Sequence, residues 1–258
     1  MSTTTLKLIA LGLMFLDHIY EFIGGAPIVL TWLGRMSASL FVFCTAWGFF
    51  YTRNRKKYLL NLYVWGVGMA VLDVLLSVLV PSAKTQPIND IFVTLLLSCM
   101  IIAIIEGFRG GDRVLAKQLL VLLLVAQVAS DVLGWQAQMR CEALPLWVLP
   151  VAIFPSVLLC EGGLLWVTLG VCLYFTRTDK KKLTLVYVLF SFLWLLLVPT
   201  SFTCESLLMQ NYQWMMIGAL PLMLCYNGKK GRGLKWLFYV FYPAHIALLC
   251  VLGSVVSF

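Results

Sequence analysis

Long apolar blocks, each about the length that crosses a bilayer core, alternate with short polar connections along the whole chain. They predict nine membrane-spanning helices, at 6–23, 29–51, 59–80, 91–107, 115–134, 156–176, 183–202, 206–226 and 234–256. The stretch 144–155 is also apolar, but it is too short to span and carries Pro145, Pro150 and Pro155. It reads as a re-entrant or interfacial segment whose backbone is covered by protein. The first block carries Asp17 and His18 inside its apolar run with no small-residue cleavage site after it, so it is expected to be a span and not a signal peptide. No internal repeat is visible and no hydrophilic stretch is long enough to fold alone. The fold class expected is therefore all-α, a polytopic membrane protein with residues 1–258 forming one domain.

Composition strengthens that picture. Of 258 residues, 62% are hydrophobic and 12% charged, and the mean hydropathy is +0.95. Soluble domains run at about 45–50% apolar and about 25% charged. A soluble core of this length could not hide so much apolar surface, which argues against a conventional soluble enzyme, a disordered chain or a nucleic-acid binder.

The net charge of +8 is mostly a statement of orientation. Sixteen of the nineteen basic residues fall in one set of loops: Lys7; Arg53, Arg55, Lys56 and Lys57; Arg109, Arg113 and Lys117; Arg177, Lys180, Lys181 and Lys182; Lys229, Lys230, Arg232 and Lys235. The opposite loops hold Lys84 and Arg140, and Arg35 lies within a span. By the positive-inside rule the N-terminus is cytoplasmic and the C-terminus outside, provided that 144–155 does not cross.

Eight cysteines show no C-x-x-C pair and no His/Cys ligand spacing, so no structural zinc or other metal is expected. Most read as small hydrophobes within spans. Cys141 and Cys204 fall in outer loops, where they would form either a disulfide or two free thiols.

Charge inside a bilayer costs at least about 2.5–3.5 kcal/mol per residue, so each such residue asks for a partner or a task. The orientation places Asp17 and His18 near the outer end of the first span and Arg35 at a similar depth in the second. Asp73 and Glu161 lie in the outer thirds of their spans; Asp90 opens the fourth from outside, Asp131 ends the fifth and Glu205 opens the eighth. Gln210, Asn211 and Gln213 follow Glu205, and His245 lies near the midplane of the last span after Tyr242-Pro243. Asp17 and Arg35 suit an ion pair, either pinning two helices or framing a site. Adjacent helical residues diverge by about 100 degrees, so Asp17 is expected to serve Arg35 while His18 faces a cavity. The two histidines suit general-base catalysis or transient acyl carriage. The Thr52–Tyr58 and Asn227–Gly233 runs are basic anchors; the second, with its glycines, also suits a phosphorylated ligand. Glu161-Gly162-Gly163 permits close approach of a ligand or of another helix.

Several segments together resemble the TraX family of integral membrane proteins. They are Leu16-Asp17-His18-Ile19, Gly34-Arg35-Met36 with Phe41 and Phe43, and Gly48-Phe49-Phe50-Tyr51-Thr52-Arg53-Asn54. Asn89-Asp90-Ile91-Phe92-Val93-Thr94-Leu95 and Phe241-Tyr242-Pro243-Ala244-His245 complete the set, in order along almost the whole chain. The family is named for a conjugative-pilus protein that acetylates pilin N-termini with acetyl-CoA, and it is similar at long range to multi-span acyltransferases that modify extracytoplasmic sugars. The resemblance implies a cell-membrane acetyltransferase that takes acetyl-CoA from the cytoplasmic side and serves a peptide amine or glycan hydroxyl outside. It implies that His18 is the base or acyl carrier, that His245 is a second catalytic group, and that Asp17 and Arg35 shape the site. Arg53, Asn54, Lys229, Lys230 and Arg232 would hold the nucleotide end of CoA; Glu161, Asp90 and Asn89 would meet the acceptor. The rival class is an ion- or proton-coupled small-solute transporter using Asp17, Arg35, Asp73 and Glu161; a third is a scaffold of a secretion apparatus.

Overall fold

Every regular element among the described residues is helical, as the apolar blocks require. The computed structural model describes residues 1–81, 88, 90–140, 144–197 and 203–256, the side chains of Lys235 and Val256 apart. Helix α1 covers Thr3–Phe22, α2 Val29–Tyr51, α3 Arg55–Leu79, α4 Ile91–Phe108 and α5 Arg113–Arg140. Then come α6 Val148–Ile153, α7 Gly163–Thr176, α8 Lys180–Leu197 and α9 Cys204–Met209. A 3-10 helix over Gln213–Ala219 leads into α10 Leu220–Leu224, and α11 covers Lys235–Val256. Among the described residues, α2, α3, α4, α5 and Trp236–Val255 within α11 are long and apolar enough to cross a membrane.

Two blocks depart from the continuous spans expected. The block at 206–226 is broken into α9, the 3-10 helix and α10. Its polar cluster is the cause: the Asn211 amide donates to the Leu195 carbonyl at 3.0 Å and Trp214 Nε1 to the Leu207 carbonyl at 3.2 Å. These side-chain bonds serve backbone groups and compete with a regular helical ladder. The block at 156–176 becomes helical only at Gly163, because Gly162 (φ +71°) and Gly163 (φ +56°) hold the left-handed backbone that glycine tolerates. The proline-rich segment 144–155 forms one short helix, α6, between turns.

The chain divides into two compact units. Of the described residues, the first comprises 1–44, 175–197 and 203–256; the second, 45–81, 88, 90–140 and 144–174.

In the first unit α1 presents Thr3, Leu6, Ala10, Met14, His18 and Phe22 on one buried face, three or four residues apart, and packs on α11. Lys7 lies over the Phe238 ring at 5.4 Å, His18 meets His245, and a Cβ on Gly253 would fall 2.4 Å from the Phe22 carbonyl. The contacts progress in the same sense along both helices, so α1 and α11 run parallel. The first backbone N–H groups of α1, which have no intrahelical partner, are taken up by the basic loop. Thr3 N donates to the Lys229 carbonyl at 2.9 Å and Thr4 N to that of Lys230 at 3.2 Å. Helix α8 packs on the 3-10 helix, where the buried Tyr187 hydroxyl donates to the Met216 carbonyl at 2.6 Å.

In the second unit α4 is apolar on all sides and buried over most of its length, with α3 and α5 packed on it and α6 against both. Only Ala116, Ala126, Ser130 and Gly134 of α5 are buried, so its Val- and Leu-rich remainder faces outward, as a lipid-facing helix does. Gln127 ties α5 to the turn before α7. Its amide nitrogen reaches Ser156 Oγ at 2.6 Å and the Asp131 carboxylate at 3.0 and 3.1 Å, and its oxygen accepts from Val157 N at 2.9 Å.

Candidate functional site

The first unit gathers the four residues singled out for chemistry into two adjacent groups. Asp17 on α1 forms an ion pair with Arg35 on α2 and accepts from Thr31 Oγ1 at 2.5 Å. Thr31 and Arg35 are four apart and share one face of α2. Gly34 makes the approach possible, since a Cβ there would stand 2.3 Å from Asp17 Cβ. Arg35 continues to the broken segment, donating to Gln213 Oε1 at 3.3 Å and lying over the Tyr212 ring at 5.8 Å. The pair is partly accessible, with Arg35 27% and Asp17 13% exposed. Arg35 Nε is buried and makes no hydrogen bond among the described residues.

His18 turns the other way, as the divergence of neighbouring helical residues requires. Its Nδ1 lies 2.6 Å from Nε2 of His245, and His245 Nδ1 lies 2.8 Å from the Phe241 carbonyl. A carbonyl only accepts, so His245 Nδ1 carries the proton. With both imidazoles neutral, His245 Nε2 is then an acceptor and His18 Nδ1 the donor to it, which leaves the lone pair on His18 Nε2. Phe241 and Phe15 pack on the His245 ring at 4.9 and 6.1 Å, and Phe22 and Tyr242 on the His18 ring at 6.2 and 6.3 Å. An aromatic wall of this kind fixes the rings and excludes water.

Contact brings the two histidines to one depth. His18 lies eleven residues beyond Lys7 and His245 seven beyond Phe238, which at 1.5 Å per residue is about 16 and about 10 Å from the level where Lys7 meets Phe238. The pairing sets the two rings at one level along the parallel helices α1 and α11.

Lys229, Lys230 and Arg232 are exposed, on the loop whose carbonyls cap α1; the Thr4 hydroxyl reaches the Lys230 and Arg232 carbonyls at 2.9 and 2.6 Å. Arg53 is exposed in the second unit, and Asn54 caps α3 by accepting from Lys57 N at 2.9 Å. Asp90 and Glu161 line a cavity of about 180 Å³ in the second unit together with Asp73. Asn89, like Cys141, lies outside the described residues; Cys204 is a free, exposed thiol. Among the described residues no group of three or more His, Cys, Asp or Glu could hold a metal ion. Thr31, Tyr212 and Phe241, which hold the two groups in place, were not singled out as site residues. Nor was the pairing of Arg55 with Glu106, at 2.5 Å, with the Tyr174 hydroxyl on the same carboxylate at 2.6 Å.

The fold and its apolar helices define a polytopic, all-α membrane protein. Its chain belongs to the TraX protein family, whose pattern matches residues 2–253. It is 29% identical over 265 positions to the probable fimbrial assembly protein FimC, serogroup H1, of Dichelobacter nodosus, covering 96% of this chain and 94% of that one. No solved structure matches.

Proposed function

We propose that this protein is a membrane-embedded acetyltransferase, moving an acetyl group from cytoplasmic acetyl-CoA to an amine or hydroxyl acceptor presented from the outer side of the cell membrane. Membership of the TraX family and a relative named for fimbrial assembly support a role in modifying a surface or pilus component. The observation that carries the chemistry is the chain from the Phe241 carbonyl through His245 to His18. It fixes the tautomer of His18 and leaves Nε2 as a base, the role an orienting group plays for a catalytic histidine.

In this reading His18 Nε2 takes the proton of the acceptor as its nitrogen or oxygen bonds to the thioester carbonyl carbon. The carbon–sulfur bond then breaks, and the proton passes to the departing thiolate of CoA. Arg35, held by Asp17 and Gln213, offers N–H donors to developing negative charge. The exposed Lys229, Lys230 and Arg232 suit the phosphates of the donor, as does Arg53. Purified protein supplied with labelled acetyl-CoA should release CoA and transfer label, and His18→Ala should abolish both. Absence of CoA binding by the folded protein would sink the reading.

The broken segment between Met209 and Leu220 gives a transporter a specific point in its favour, because interrupted helices mark many transport sites. Solute uptake by proteoliposomes, with a pH dependence removed by Asp17→Asn, would select that reading instead.

A further inference from the structure

The second unit holds a cavity of its own. Asp73 on α3, Asp90 at the start of α4 and Glu161 in the turn before α7 line the same cavity of about 180 Å³. Among the described residues no basic side chain lines it, and the rest of the wall is apolar and includes Trp147. Asp73 is 1% exposed. The two oxygens of Asp90 have different tasks. Oδ1 caps α4 by accepting from Phe92 N at 3.0 Å, whereas Oδ2 is buried and has no hydrogen-bond partner among the described residues. A buried carboxylate oxygen with nothing to bond is costly unless a ligand supplies a partner.

We infer that this chamber binds a small organic cation, an ammonium group carried on an apolar body. The ammonium would sit among the three carboxylates, donate to Asp90 Oδ2 and use the Trp147 face, a preferred surface for such cations. Size and lining decide against an inorganic ion. A dry cavity of about 150 Å³ accommodates benzene, so the space here fits a ring-sized group, not a bare ion. The carboxylates also fail to form a cluster able to hold a metal among the described residues. The inference stands independently of acetyl transfer.

The test uses the full-length protein in detergent with benzylammonium as the probe and benzyl alcohol as its neutral counterpart. Benzylammonium should raise the unfolding temperature saturably with a millimolar Kd, and benzyl alcohol should do so at least about tenfold less effectively. Asp90→Asn retains the cap, because asparagine caps helices as well as aspartate, and should weaken benzylammonium binding by about tenfold or more. Ala152→Leu narrows the chamber without touching its charge and should also abolish binding. The inference is overturned if benzylammonium and benzyl alcohol act alike, if Asp90→Asn leaves the affinity unchanged, or if sodium chloride at equal ionic strength reproduces the whole effect.

Discussion

The ion pair between Asp17 and Arg35 gives the most direct measure of what holds α1 to α2. At contact distance an effective dielectric of about 20 gives roughly 4 kcal/mol of attraction. Fully exposed pairs are worth about 0.2–1 kcal/mol, while breaking a fully buried one costs about 3–5 kcal/mol. Arg35 and Asp17 are 27% and 13% exposed, so the coupling should fall between these limits, at about 2 kcal/mol. A double-mutant cycle with Asp17→Asn and Arg35→Met isolates it. Asparagine keeps an oxygen for Thr31 Oγ1, and methionine keeps the apolar stem of arginine. The single variants should be unequal. Arg35→Met strands a carboxylate with Thr31 alone and gives up Gln213 and Tyr212, costing about 3 kcal/mol; Asp17→Asn leaves the guanidinium with both. Unfolding by sodium dodecyl sulfate in mixed micelles, followed by circular dichroism, measures all four proteins. A coupling below about 0.5 kcal/mol would refute the view that the pair joins the two helices, as would a larger loss from Asp17→Asn than from Arg35→Met.

Gly34→Val should destabilise the protein by about 1–3 kcal/mol, because its Cβ would overlap Asp17, while Gly12→Val, in open space, should be neutral or slightly stabilising because valine is a better helix former than glycine; thermal unfolding of the two compares them. His245→Ala should lower acetyl transfer by about 10–100-fold without abolishing it, whereas His245→Gln, which offers an amide oxygen to His18 Nδ1, should recover part of the loss, read as kcat. Asn54→Ala should cost about 1 kcal/mol of stability through the lost α3 cap, and Arg53→Ala should leave stability within about 0.5 kcal/mol while raising KM for acetyl-CoA.

Helix placement was legible wherever hydropathy alone decides it. The expected spans 29–51 and 91–107 correspond to Val29–Tyr51 and Ile91–Phe108 because hydroxyls inside them, such as Ser39 and Ser98, bond back to their own helix without interrupting it. The 206–226 block misled because averaged hydropathy outweighs Gln210, Asn211 and Gln213, whose side chains bond to backbone and neighbouring groups in the folded chain. At the site, Asp17 with Arg35 could be paired from shared depth and opposite charge. The Thr31 contact was accessible too, from its i, i+4 relation to Arg35. The meeting of His18 and His245 was not, since the two lie 227 positions apart and only packing sets which faces of α1 and α11 meet. The Arg55–Glu106–Tyr174 group escaped notice because one acid among many basic loop residues reads as ordinary surface charge.

Depth would link this packing to the proposed function. In the proposed reaction a cytoplasmic donor and an outer acceptor would have to meet at one point, and a base near the outer surface would lie far from the donor. The contact with His245 ties the level of His18 to that of His245 on α11. The same contact orients the imidazole so that its lone pair belongs to Nε2, away from the partner ring. Asp17, on the neighbouring face of α1, and its partner Arg35 on α2 open partly to the surroundings, while the histidines are walled by aromatic rings. An accessible cation beside a sheltered base would suit the proposed transfer: charge stabilisation where a polar substrate can arrive, and proton exchange where water cannot intercept the acyl group.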